Sequence, residues 1–155
     1  MDADFIVELL NDPNWLKYIG DRDVKNAQDA LAYIQHGPQV MYQQYAMGLL
    51  LVESLEHQKP LGLCGLLKRV ELSHPDLGFA LLPQYRKQGF ALEAAERVLA
   101  DVCERKLTEK VLAITSVDNE KSINLLKKLH FSFSGLIRLG DNVDETNLFE
   151  LTIKI

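Results

Sequence analysis

Apolar positions recur at helical spacing where the chain begins. Phe5, Ile6, Leu9 and Leu10 share one side of a 3.6-residue repeat, and Asp2 can cap it. Asn11-Asp12-Pro13-Asn14 stops that helix. Asp21-Arg22-Asp23 can start a second, with Ala27, Ala30, Leu31 and Ile34 on one face, and Gly37-Pro38 ends it. From Tyr45 to Glu53 the period shortens to two, with Tyr45, Met47, Leu49 and Leu51 alternating as in a strand. Ser54 to Pro60 is polar and turn-like, and Leu61 to Leu72 reads as a second strand, so the two form a hairpin. Leu77 to Leu82 is a third strand. Gly89 to Leu107 is a long amphipathic helix. Leu92, Ala95, Val98, Leu99 and Val102 face its core side, and Glu93, Glu96, Arg97 and Asp101 face water. Val111–Ser116 is a strand and Asn119–Leu129 a helix. Phe133–Leu139 and Leu148–Ile155 close the chain as strands, joined by a polar segment from Gly140 to Glu145. Strands separated by a helix imply parallel crossovers, and the others hairpins. The expected fold is α/β (α+β): a mixed, mainly antiparallel sheet with helices on both faces.

Composition narrows the class. A chain of 155 residues is expected to be one domain, 1–155. At 47% hydrophobic residues it can bury a core without staples. Cys64 falls in a strand and Cys103 on the apolar side of the long helix, so both read as small core residues in a reducing cytoplasm. No signal peptide or membrane span is read, since the longest apolar run, Ala46 to Val52, is too short to cross a bilayer. The formal charge of −5 argues against general nucleic-acid binding and is compatible with a cationic substrate. His36, His57, His74 and His130 show no metal-ligand spacing, so no metal is expected. No Ser-His-Asp or Cys-His arrangement stands out.

The chemistry concentrates where the third strand turns into the long helix, at Leu77-Gly-Phe-Ala-Leu-Leu-Pro-Gln-Tyr-Arg-Lys-Gln-Gly-Phe-Ala91. A strand-turn-helix joint aims several backbone N–H groups at one spot, and the helix N-terminus adds about half a positive charge. That suits a phosphate or pyrophosphate. The loop is not a Walker A sequence and lacks a full Gly-x-Gly-x-x-Gly. Arg86-Lys87-Gln88-Gly89-Phe90-Ala91 instead matches Q/R-x-x-G-x-G/A. A second block, Asp118-Asn119-Glu120-Lys121-Ser122 through Phe131, follows an apolar strand.

The first block resembles the acetyl-CoA loop of the GNAT superfamily of N-acetyltransferases. The second resembles the N-x-x-S-x-x-x-x-x-K-x-G-F block after the family's fifth strand, and is most similar to the branch with ribosomal-protein-alanine acetyltransferases. The resemblance spans nearly the whole chain. It departs in two places. His130 stands where the family usually has Gly, and the family's first strand is not seen, since the chain opens directly on a helical pattern: that strand is either missing or lies outside this sequence. Without that strand, Tyr45–Glu53 becomes an exposed edge, and a second copy covering it in a homodimer is expected.

The resemblance implies acetyl-CoA as co-substrate and an amine-bearing acceptor, either a protein N-terminus or a small molecule. Backbone N–H groups of Gln88, Gly89, Phe90 and Ala91 would hold the pyrophosphate, and Arg86 and Lys87 would add charge. A solvated turn is the plain alternative for those two side chains. The pantetheine arm would pair with the edge of Phe79-Ala80-Leu81-Leu82. An N–H near Leu81 or Leu82 would hold the thioester oxygen. Asn119 and Ser122 would contact the coenzyme, with Asp118 or Asn119 also readable as a simple N-cap. The tyrosine acid of many relatives falls at Leu126, so Ser122 is the candidate to meet the departing thiolate.

Asp76 and Glu71 flank the central strand as candidate bases, against the plainer reading of loop carboxylates. An α-amine with a pKa near 8 is about 10% neutral at pH 7, and a lysine about 0.04%. An α-amine therefore needs little help from a base. The functional reading is an acetyl-CoA-dependent N-acetyltransferase acting by direct attack in a ternary complex. The alternative is a non-catalytic acyl-CoA-binding sensor or interaction domain.

Overall fold

In the computed structural model, which describes residues 2–154, thirteen elements follow one another. Four helices come first: α1 (Asp2–Leu10), α2 (Pro13–Tyr18), α3 (Ala27–His36) and α4 (Pro38–Tyr45). Then come β1 (Leu49–Glu53), β2 (Pro60–Leu67), β3 (Asp76–Leu81), a 3-10 turn at Pro83–Tyr85, and α5 (Phe90–Glu104). The chain continues through β4 (Lys110–Ser116), α6 (Glu120–Lys128), β5 (Ser132–Ile137) and β6 (Thr146–Thr152).

The six strands form one sheet in the order β1-β2-β3-β4-β6-β5. All neighbours are antiparallel except β3 and β4, which are parallel, as the intervening α5 requires. The expected mixed, mainly antiparallel sheet is therefore present. One face packs on α5 and α6 through Leu66, Leu77, Val102, Val111, Leu126 and Phe149. The opposite face packs on the N-terminal helices through Phe5, Leu9, Trp15, Leu63 and Leu82. No helix among the described residues is long and apolar enough to cross a membrane.

The N-terminal half departs from the pattern reading. The Asn11-to-Asn14 stop also starts α2: the Asp12 carboxylate accepts from the N–H groups of Asn14 and Trp15 at 3.1 and 3.4 Å, and Pro13 takes the first helical position. The next helix starts at Ala27, capped by Asn26, and not at Asp21. Pro38 begins α4 in the same way, so Tyr45 belongs to a helix and the strand starts only at Leu49. β2 ends at Leu67, and residues 68 to 75 form a turn.

No strand precedes α1 among the described residues, and β1 is an edge with Leu50 half-exposed. The Tyr42 hydroxyl of α4 donates to the Leu49 carbonyl at that edge. Cys64 is buried as expected. Cys103 is not: it is exposed near the end of α5, where its thiol donates to the Lys154 carbonyl at 3.2 Å.

Candidate active site

The two parallel strands at the centre of the sheet barely meet. β2 and β3 stay in register from Gly62↔Leu81 to Leu67↔Asp76, whereas β3 and β4 share only Asp76↔Leu112. Beyond that point they diverge. Leu82 N–H donates to Leu61 O at 2.9 Å on the β2 side, and Leu112 N–H donates to Pro75 O at 2.9 Å on the β4 side. Backbone groups alternate along a strand, so even-numbered residues of β3 serve β2 and odd-numbered ones face β4. The N–H groups of Phe79 and Leu81 thus point into the gap, and both residues line it.

The gap opens into a cleft of about 1240 Å³. Its walls include Trp15 and Tyr18 of α2, Tyr33 of α3, Ile114 to Ser116 of β4, and both sequence blocks. Ser116 Oγ donates to Tyr18 O at 3.4 Å, tying α2 to β4 across it. Beside it, buried Asn147 donates to buried Thr115 at 3.1 Å.

At the far end of β3 the loop reaches α5. Gly89 is the N-cap residue of α5, with φ +86°, a left-handed geometry that glycine adopts without strain. Asp12, Asn26 and Asn119 cap α2, α3 and α6 with side-chain oxygens, but no side chain caps α5. The first-turn donors of a 15-residue helix are therefore left to the cleft, which Lys87, Gly89, Phe90 and Ala91 all line. A Cβ added at Gly89 would meet no atom within 4 Å. This end fits a pyrophosphate, with backbone donors, a helix N-terminus and the Lys87 ammonium converging.

Three residues expected at the coenzyme also bond within the protein, and of these Arg86 lines the cleft. The Arg86 guanidinium donates to Asp12 at 2.5 Å and to Leu81 O at 3.1 Å, so it ties the loop to α2 and to the strand end. Gln88 donates from its side chain to Gln84 O at 2.9 Å and does not line the cleft, while its backbone N–H, the group expected at the pyrophosphate, is not engaged by that bond. Leu82 is buried against the N-terminal helices, and its N–H is taken by Leu61. Of the two candidate thioester donors, Leu81 is the one that faces the gap.

Asn119 and Ser122 both reach the cleft, and the Asn119 side chain caps α6 by accepting from Ser122 N–H at 3.3 Å. Both readings of Asn119 thus hold in geometry. Leu126 is wholly buried in the α5–α6 core. The side of α6 that looks on the cleft carries Ser122, Leu125 and Lys128, so Ser122 supplies the helix's only hydroxyl.

Asp76 lies at the opposite end of β3 from the loop. It is fully buried, and both its oxygens accept from Arg69 Nε, at 3.0 and 3.1 Å. Burial pushes its carboxyl above the ordinary aspartate value, and Arg69 opposes that. Sequence reasoning missed Arg69, Tyr33 and Arg22 in this wall. Only the seven-residue separation of Arg69 and Asp76 across a tight turn hinted at their pairing. No group of three or more His, Cys, Asp or Glu able to hold a metal occurs among the described residues.

Residues 1–132 match the family model described as the acetyltransferase (GNAT) domain. No functionally curated protein matches the sequence. Among solved structures, a GNAT-family acetyltransferase from Bacillus anthracis superposes with TM-score 0.78 at 17% identity, covering 97% of this chain and 89% of that one. Spermidine N-acetyltransferase from Vibrio cholerae, in complex with CoA and spermine, gives 0.77 at 16% identity, with coverage of 97% and 89%. A ribosomal-protein alpha-N-acetyltransferase in complex with coenzyme A gives 0.71 at 14% identity, with coverage of 98% and 82%.

Proposed function

Because this chain belongs to the GNAT acetyltransferase family, we propose that it moves an acetyl group from acetyl-CoA to a primary amine by direct attack within a ternary complex. The acyl donor supplies an activated thioester, and no residue of the protein is acetylated on the way. The reading rests on one observation: the divergence of β3 from β4 and the uncapped start of α5 open on the same cleft.

That geometry supports the following roles. Lys87 and the N–H groups of Gly89, Phe90 and Ala91 bind the pyrophosphate. The free edge of Phe79 and Leu81 pairs with the amides of the pantetheine arm, as an added strand would. The Leu81 N–H lies where it can stabilise negative charge on the thioester oxygen. Asn119 fixes the start of α6, and Ser122 offers its hydroxyl to the departing thiolate. Arg86 holds the loop in place and leaves the charge at the phosphate to Lys87.

Asp76 is a weak candidate for the base. Its side chain is almost wholly buried and both oxygens already accept from Arg69. An α-amine, about one tenth neutral at pH 7, can attack without one. A protein N-terminus, as in the ribosomal-protein-alanine branch, and a small α-amine both satisfy this.

The absence of a tyrosine hydroxyl at Leu126 favours one rival, a domain that binds acyl-CoA without turning it over. Release of free thiol from acetyl-CoA across a panel of amines separates the two. Amine-dependent release is expected. Tight binding of acetyl-CoA with no release from any amine would establish the rival.

A further inference from the structure

Resting on the acetyltransferase reading, we propose that the acceptor is a primary amine that also carries a carboxylate, bound by Arg69, Arg22 and Lys68 at the Asp76 end of the cleft. β3 rises about 3.3 Å per residue, so its six residues put this end roughly 17 Å from the phosphate loop. The cations here are therefore too distant to be part of the pyrophosphate site.

Arg69 carries the argument. Its Nε is held by the fully buried Asp76 carboxylate, which fixes the plane of the guanidinium. Its two Nη groups have no protein partner among the described residues, and its side chain is 30% exposed on the cleft wall. A guanidinium held from behind by its Nε, with the Nη pair turned to an open cleft, matches the two oxygens of a carboxylate. This gives the Arg69–Asp76 pair a positioning role: Asp76 orients Arg69, and Arg69 binds.

The neighbours have the same sign. Arg22 and Lys68 line the cleft and form no ion pair among the described residues. Nearby Asp21 is engaged with Lys25 at 3.3 Å. The acid ionisation of Tyr33, raised by burial, is lowered by both Arg22 and Arg69, so both guanidinium groups lie close to that phenol. The other acid of this region, Glu71, is exposed on the turn and is not part of the cleft wall. A protein of net charge −5 thus gathers three cations against one buried, paired carboxylate at the Asp76 end, while the other acids of the cleft, Asp12, Asp118 and Glu120, belong to the starts of α2 and α6. A polyamine would be repelled there. An amino acid, or a peptide N-terminus with an acidic residue beside it, would be held with its amine pointing along β3 toward the thioester.

The test is thiol release by the full-length chain at saturating acetyl-CoA. The panel contains L-amino acids, each matched with its C-terminal amide, short peptides beginning Ala-Asp-Glu or Ala-Lys-Lys, and spermidine. Acids are expected to exceed their amides in kcat/KM about tenfold or more, the effect of one hydrogen bond to a charged group. Preference for free amino acids or for the Ala-Asp-Glu peptide identifies the source of the carboxylate.

Arg22→Gln and Lys68→Gln change side chains with no protein partner and should fold normally. Each should shrink the acid-to-amide ratio while calorimetry finds acetyl-CoA affinity unchanged. Asp76→Asn should shrink it too, by releasing Arg69. Amides or spermidine used as well as acids, or a ratio untouched by these substitutions, would overturn the proposal and leave the acetyltransferase reading standing. Acetyl-CoA binding with no amine consumed overturns the proposal together with catalysis. No acetyl-CoA binding overturns the reading beneath both.

Discussion

Single residues give the sharpest tests because two of them sit in contrasting surroundings. Cys64 is buried in the strand core, and burial pushes its thiol up to about 12, while Cys103 is exposed. Only the thiolate reacts, so iodoacetamide at pH 8 should label Cys103 readily and Cys64 only as fast as the protein unfolds. Peptide mapping of the labelled chain checks this, and rapid native labelling of Cys64 would contradict its burial. The sign of the linked stability follows. A folded thiol held above its ordinary value of 9.0 contributes fully below that pH and loses the contribution as pH rises toward about 12. Ser122 tests the mechanism in the same way. If its hydroxyl meets the departing thiolate, Ser122→Ala removes one transition-state hydrogen bond of about 1.5–3 kcal/mol. That is roughly a 10- to 150-fold lower kcat, with acetyl-CoA affinity within a few-fold. A residue that only fills the first turn of α6 would leave the single-turnover rate unmoved.

Elements were legible where local chemistry and tertiary demand agreed, and the end of α6 shows why. His130 N–H donates to Lys127 O and Phe131 N–H to Leu126 O, both at 3.0 Å, while His130 takes φ +68°. This is the Schellman closure, with Leu126 and Phe131 together in the core beneath it. The family's usual Gly at this position is therefore a backbone requirement that His130 meets under strain. His130→Gly should raise stability by about 0.5–1 kcal/mol, since the left-handed conformation costs a side-chain-bearing residue at least that much. Thermal melting should show a gain of about 1–4 °C, and a lower Tm would mean that the imidazole makes a stabilising contact. The long amphipathic α5 and the strands after it were readable for a related reason: their periodicity and their burial coincide. The α2 and α4 helices were not, because Pro13 and Pro38 signal a stop and a start with the same residue. The alternation at Tyr45, Met47 and Leu49 imitated a strand across a helix end, where Ala46 turns left-handed and gives its carbonyl to Arg105 at 2.7 Å. The uncapped start of α5 could be read because the turn at Gly89 that leads into it is local to six residues. The Arg69–Asp76 wall could not, since its meaning depends on Tyr33 and Arg22 arriving from another layer.

Across the whole molecule, the N-terminal helices and the loop before α5 pack through Leu82 and Tyr85 and are tied by an ion pair, Asp12 with Arg86, 74 residues apart in sequence. Asp12 serves two structures at once, accepting from the first turn of α2 and from the Arg86 guanidinium. Arg86 in turn holds the carbonyl of Leu81, the residue whose N–H faces the gap. Asp12→Ala should therefore lose a helix cap worth about 1 kcal/mol and a charge-assisted bond worth about 1.5–3 kcal/mol. The second figure is reduced because Arg86 keeps 24% of its side-chain exposure and so some hydration. A net loss of about 2–3 kcal/mol corresponds to a Tm lower by about 4–12 °C for a domain of this size. The effect on binding decides what Arg86 is for. If Arg86 is a tie, the freed loop must be ordered again when acetyl-CoA binds, at about 1 kcal/mol, and Kd should rise about fivefold. If Arg86 is instead a phosphate ligand restrained by Asp12, releasing it would tighten binding. Calorimetric titration of the variant with acetyl-CoA, below its melting range, separates the two. The geometry at Leu81 favours weaker binding, because a guanidinium drawn to the phosphate would have to leave the strand end that presents the N–H for the thioester.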